Sequence, residues 1–228
     1  MWQALREELR PSGLEIVTVA LDTGGAEAAG PWIDLAKPSH LSLIDEAHLL
    51  DELLGIVNVP SGVWIDEEGT IVRPPEPAFP GRSVWREIEL PENLPQYLED
   101  TIAEAAKIRA DPKRYAEAVR DWAANGSNSR YVLARDEVVA RSAPRPPEVS
   151  EAAAHFELGQ HLHRAGHPDD AVPHFREAHR LQPDNWTYKR QAWSFVDPLQ
   201  GPSEQYEGDW LKDVRAIGAE NYYPALEL

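Results

Sequence analysis

The chain has 228 residues, 39 acidic against 22 basic, for a net charge of −17, and it contains no cysteine. That charge argues against nucleic acid or an anionic membrane surface as partner, since both select a basic face; it also keeps a protein in solution. Without cysteine, disulfides, thiolate metal sites and thiol catalysis are excluded for the chain as written. No apolar run approaches the ~18 residues of a bilayer span, and the first residues do not read as a signal peptide, so no membrane partner is expected. A hydrophobic content of 42% supports a packed core, and the placement of the twenty prolines divides the chain into two halves joined by a proline-rich link.

Residues 1–10 read as the end of an amphipathic helix, with Trp2, Leu5 and Leu9 on one face and Arg6, Glu7 and Arg10 toward water. Pro11-Ser12-Gly13 stops it. Residues 14–21 are β-branched and bounded by breakers, which predicts a strand. Residues 27–36 predict a helix, 41–44 a short strand, and Asp45 caps a further helix over 46–54. Then come Val59-Pro60, an apolar run Val63-Trp64-Ile65, a turn Asp66 to Gly69 and a resumed strand at Thr70-Ile71-Val72.

A Val-Pro pair entering a hairpin with Asp-Glu-x-Gly at its tip resembles the thioredoxin-like fold. The branch it is most similar to is the extracytoplasmic thiol reductases of the ResA/TlpA type and related redoxins. The resemblance covers roughly residues 1–105. It implies a cis bond at Val59–Pro60 and makes Val59 and Pro60 the groove that binds an extended partner. It also implies a first strand and a Cys-x-x-Cys helix upstream of Met1, which this sequence does not hold. Without that strand, 16–21 and 63–65 must pair directly, leave backbone groups open, or take a strand from a second copy, which makes a homodimer a hypothesis with a motive. Trp122, Ala123, Gly126, Ser127 and Tyr131 also resemble, out of register, a Trp-Ala-x-x-Sec-Gly-Ser-x-Tyr motif of the same group. The local physics there is a helix end with Gly126 as its cap.

Residues 73–95 are proline-rich and read as an irregular connection docked over the hairpin's end. Residues 96–109 predict an amphipathic helix, the last of the first domain or the first of the next. Pro112 opens another helix to Ala124. An acidic piece and an apparent linker at 142–147 follow. In 151–185, Leu158-Gly159, Leu162, Gly166, Ala171, Phe175, Ala178 and Pro183 fall at tetratricopeptide-repeat spacings. Gly159 and Ala171 let two antiparallel helices approach, Phe175 and Ala178 fill the groove, and Pro183 ends the second helix. A third helix over 186–196 stacks on the pair. A lone repeat cannot bury its own face and must pack on the rest of the chain or on another chain. One helix over 209–216 is expected in the tail.

Six of the eight histidines lie between 155 and 179: His155, His161, His163, His167, His174 and His179. A metal site is the sharp reading of such density. Their spread over both faces of two helices, with no cysteine beside them, reads as surface histidines, and no metal ligand is assigned. Asp66-Glu67-Glu68 and Asp169-Asp170 read as solvated turns. No phosphate-cradling loop, HExxH or nucleophile elbow is present, so no catalytic residue and no cofactor are assigned.

The fold expected is α/β: a thioredoxin-like sheet domain lacking its first strand and catalytic motif (1–108), a helical connection and linker (109–147), and an all-α tetratricopeptide-like domain with a C-terminal tail (148–228). The function expected is non-catalytic protein–protein interaction through the helical repeat, redox-inactive for want of cysteine. The alternative is a thiol–disulfide oxidoreductase or peroxide reductase whose reactive residue lies upstream of this start. Cytoplasm is the default location, with an extracytoplasmic one if an export signal precedes Met1.

Overall fold

The computed structural model describes residues 2–81, 94–142 and 144–228. Among these, ten α-helices and four short strands alternate in the first half and give way to helices alone in the second.

Helix α1 (Trp2–Leu9) buries Leu5 and Leu9. A 3-10 turn at Arg10–Ser12 follows, closed by Gly13 at φ +88. Strand β1 (Val17–Leu21), helix α2 (Gly25–Ala36) and strand β2 (Leu41–Asp45) form a βαβ unit in which the two strands are parallel and Val17 faces Leu41. Thr18 and Ser42 share a hydrogen bond of 2.9 Å on one face. On the other face Val17, Leu41 and Leu43 stay exposed. Asp45 accepts from the amides of Ala47 and Leu50, which seats helix α3 (Leu49–Leu54). Helix α3 starts three residues later than the apolar pattern indicates, because residues 46–48 carry the turn and His48 takes a left-handed φ of 55.

Strands β3 (Ser61–Ile65) and β4 (Ile71–Pro77) form an antiparallel hairpin. The Asp66 carboxylate accepts from the amides of Glu68 and Thr70 at its tip, with Gly69 at φ +80. The hairpin therefore continues through three residues of the stretch read as irregular that are prolines: Pro74, Pro75 and Pro77. A proline donates nothing to a ladder, and among the described residues β4 pairs with β3 alone, which makes it an edge strand, where proline is tolerated. The rest of that expected connection, 82–93, lies outside the described residues.

Among the described residues no single sheet joins the four strands. The strands make two separate two-stranded sheets, β1–β2 and β3–β4. The direct pairing of 16–21 with 63–65 is absent among the described residues. Strand β3 buries its face on helices instead. Trp64 is 3% exposed, stacks on Trp122 at 4.8 Å and donates its indole N–H to the Tyr115 hydroxyl at 3.1 Å. Gly62 is required there, since a Cβ on it would stand 2.5 Å from that hydroxyl.

Tyr115 and Trp122 belong to helix α5 (Pro112–Asn125), which starts on an Asp111 cap and ends at Gly126. With α1, Trp64, Ala78 and Tyr131 it forms one core. Helix α4 (Gln96–Ala105) packs the other way, on helix α10 (Trp210–Ile217), where Arg215 bridges Asp100 and Glu104. The two cores thus cross-cut the sequence order around residue 108. Helix α6 (Arg135–Arg141), which lacks an apolar stripe and was not expected, lies on β4.

The second core is made by helices α7 (Pro147–Arg164), α8 (Pro168–Leu181), α9 (Trp186–Ser194) and α10. Phe156, Phe175, Tyr188, Trp193 and Val214 lie at its centre. A buried polar chain joins it to the α/β half. The Gln160 amide donates to the Thr23 hydroxyl at 2.8 Å, and the Thr23 amide donates to the Gln191 side-chain oxygen at 2.9 Å. That oxygen lies 3.1 Å from His48 Nε2, while His48 Nδ1 lies 2.9 Å from Asp51. Every group in this chain of contacts is spared the cost of burial without a partner except the Gln160 oxygen.

Candidate interaction site

The α7–α8 hairpin is built from the small residues its spacing puts at the crossing. Gly159 lies against the Phe175 ring, where a Cβ would stand 2.7 Å from a ring carbon. Ala152, Ala171 and Ala178 are fully buried beside it. Gly166, at φ +84, turns the chain, and Pro168 opens α8 at its first position. Asn185 caps α9 by accepting from the Tyr188 amide. Helix α9 covers α8, and Phe156 stacks on Tyr188 at 4.0 Å. The repeat's need for a partner is met within the chain.

Among the described residues one face of α7 is exposed, with Arg164 at its end donating to the Glu46 carbonyl. Ala154, Glu157, Leu158, His161 and Arg164, spaced three and four apart, line a shallow recess of about 290 Å³. Leu158, one of the lining residues, is 42% exposed. An apolar patch with charged residues of both signs around it is the composition of a small binding surface.

Val59 and Pro60 stand elsewhere. The peptide bond between them is cis. Val59 is half-buried and Pro60 exposed. The Val59 amide donates to the Asn58 side chain at 2.9 Å, and its carbonyl accepts from the Tyr223 hydroxyl at 2.7 Å. The Val57 carbonyl accepts from the amides of Trp186 and Thr187 at the start of α9, and the Asn58 amide group donates to the Tyr222 carbonyl. The corner that resembles a redoxin groove is therefore lined by α9 and the C-terminal tail. Next to it lies an open cleft of about 750 Å³, with Phe79, Arg109, Arg114 and Tyr223 on its walls. Sequence reasoning missed this arrangement, since nothing local in the tail announces a long-range hydroxyl-to-carbonyl bond.

The histidines separate by environment. Burial lowers the pKa of His163, which stacks on Phe195 at 3.8 Å. Burial, and then the charge of Lys189, push His179 down to about 4. His161 sits in the α7 recess and His167 precedes α8. His155 and His174 meet between α7 and α8, with Nδ1 atoms 2.9 Å apart. His48 is sealed at 3% exposure between Asp51 and Gln191.

A tetratricopeptide-repeat family model matches residues 152–185, the stretch that forms most of α7 and all of α8. Neither a curated protein nor a solved structure matches the chain. Among the described residues, no helix is long and apolar enough to cross a membrane.

Proposed function

We propose that this chain is a non-catalytic protein-binding module whose helical repeat presents the free face of α7 to a protein partner. The observation that carries the reading is a tetratricopeptide hairpin with one helix face packed and the other exposed, Leu158 among its residues. The redoxin resemblance of the first half is part of the reading. A parallel β1–α2–β2 unit, a β3–β4 hairpin and the Val59–Pro60 corner support it, in a sheet split in two. In this reading the corner is the vestige of a partner groove, now seated against the chain's own tail. The absence of cysteine leaves no thiolate to attack a disulfide or a peroxide.

The test compares the full chain with Leu158→Asp and Arg164→Glu variants of unchanged melting temperature. Partners are cross-linked to the wild-type chain and then measured singly for affinity. Loss of affinity in both variants supports the surface. Partners that bind both variants as well as the wild type remove it. Turnover by the purified chain in an insulin-reduction or peroxide assay would defeat the non-catalytic reading.

A second reading, a homodimer, is supported by the apolar side chains left open on the βαβ unit. Val17, Leu41 and Leu43 share one sheet face, and Trp32 and Leu35 on α2 are 73% and 74% exposed. Sedimentation equilibrium at the highest soluble concentration decides it: a single monomeric species removes the dimer.

A further inference from the structure

Four side chains capable of ligating a metal converge where α7 and α8 pack. Glu151 and His155 stand one turn apart on α7, and His174 and Glu177 one turn apart on α8. Spacings of four and three residues put each pair on one helix face. One ligand atom from each of Glu151, His155 and Glu177 lies within 4.8 Å of the other two. His174 joins them through His155: the two Nδ1 atoms are 2.9 Å apart and the rings lie 5.2 Å centre to centre at 30°.

We propose that Glu151, His155 and Glu177 form a binding site for a first-row divalent cation of the zinc type, with His174 as the positioning residue for the His155 ring. The donor set decides the class. Imidazole nitrogen with carboxylate oxygen suits zinc and its neighbours, whereas calcium and magnesium take all-oxygen shells. The scaffold supports it, because the ligands come from two helices already locked by Gly159 against Phe175, so little ordering is required on binding. A metal-ligating imidazole commonly uses its other nitrogen on a neighbouring polar group that fixes the ring, and the contact with His174 supplies such a partner. His155, His174 and Glu177 are each half-buried, Glu151 exposed, so the site is open to a cation from one side.

Arg180 opposes the cation. Its guanidinium donates to both oxygens of Glu177, at 2.9 and 2.6 Å, and is itself well exposed. A cation must share Glu177 with it or push it aside. Removing Arg180 should therefore tighten the site, a result that a merely structural cluster would not give.

The experiment is calorimetric titration of the full chain with zinc alone, repeated with cobalt for its d–d absorption. The expected result is one zinc per chain and a raised melting temperature that a chelator reverses. His155→Gln and Glu177→Gln should each abolish the tight event, and His174→Gln should weaken it about tenfold to hundredfold. Arg180→Ala should strengthen it, and His161→Gln and His167→Gln should leave it unchanged. Each variant is first checked for a wild-type far-ultraviolet circular dichroism spectrum; where a glutamine variant fails to fold, the Arg180→Ala chain carries the test alone. No zinc binding, or binding that survives His155→Gln or is unmoved by Arg180→Ala, overturns the proposal.

Discussion

The Tyr223 hydroxyl donates a 2.7 Å hydrogen bond to the carbonyl oxygen of Val59, a contact across 164 residues of sequence. It fastens the C-terminal tail to the Val59–Pro60 corner of the first half. Phe79 meets the same ring edge-on at 4.9 Å, so the ring is held by packing as well. Tyr223→Phe keeps that packing and removes only the donor. Val59 is half-buried, so the loss is the net worth of one hydrogen bond, about 0.5–1.5 kcal/mol. Urea denaturation should show a lower midpoint with an unchanged slope. A midpoint equal to that of the wild type would mean the bond contributes nothing and the tail is held by other contacts.

Gly159 and Phe175 set the distance between α7 and α8. Alanine in place of a mid-helix glycine ordinarily gains about 1 kcal/mol of helix propensity. Here its Cβ would lie 2.7 Å from a ring carbon, and the ring cannot retreat, with Phe156 and Phe195 each 5.7 Å away on other sides. Overpacking of that kind costs about 1–3 kcal/mol, so the clash outweighs the propensity. Gly159→Ala is expected to destabilise, and Phe175→Leu in the same chain should recover part of the loss. A stabilised single variant in equilibrium unfolding would show that the hairpin yields freely.

His179 gives the fold an acid dependence. Its ring lies between Trp193 and Tyr206, and its Nε2 has no hydrogen-bond partner among the described residues. Burial first, and then Lys189, hold its pKa at about 4, below an ordinary value of 6.5. The unfolded chain therefore takes up a proton between those values more readily than the folded one. Stability is full above pH 6.5 and falls as pH drops toward 4, by about 3 kcal/mol at most. The salt-bridged Glu15, whose pKa is held near 2 against an ordinary 4.5, loses its contribution between those values and so overlaps only the acid end of that window. His179→Gln should flatten the pH 6.5 to 4 segment of the stability profile relative to the wild type. Parallel profiles would remove His179 as the cause.

The repeat was legible because its signal is local. Small residues at Gly159 and Ala171, an aromatic at Phe175 and a stop at Pro183 lie within one window, and each acts on its neighbour in the hairpin. The βαβ unit and the β3–β4 hairpin were legible for the same reason, since β-branched runs bounded by breakers need no distant partner to be read. What escaped depends on distant pairing. Whether β1 and β3 share a sheet is settled by backbone groups far apart in sequence, and alternation of apolar residues says nothing of it. Helix α4 shows the same limit. Its stripe announces a helix, but only Arg215 reaching Asp100 and Glu104 assigns it to the second core. The meeting of His155 with His174 needed the register of α7 on α8, which the one-dimensional spread of histidines conceals.

Arg73 carries the last expectation. Arg73 is 1% exposed, and its guanidinium serves four acceptors from three parts of the chain. Both oxygens of Glu76 accept from it at 2.8 and 2.7 Å, the Tyr131 carbonyl at 2.7 Å and the Glu227 carbonyl at 2.8 Å. The charge also lies 5.5 Å from the centre of the Trp64 ring. Arg73→Ala would leave Glu76 charged and largely shielded from water, with two carbonyls bare, a loss of about 3–5 kcal/mol. Lysine restores the charge but not the planar fork, so Arg73→Lys should recover only a minor part. Arg73→Met with Glu76→Leu removes both charges at similar volume and should lie closer to the wild type than Arg73→Ala does. Chemical denaturation of the three variants orders them. If Arg73→Ala is the mildest of the set, the buried guanidinium is not what ties the hairpin, the Tyr131 turn and the tail together.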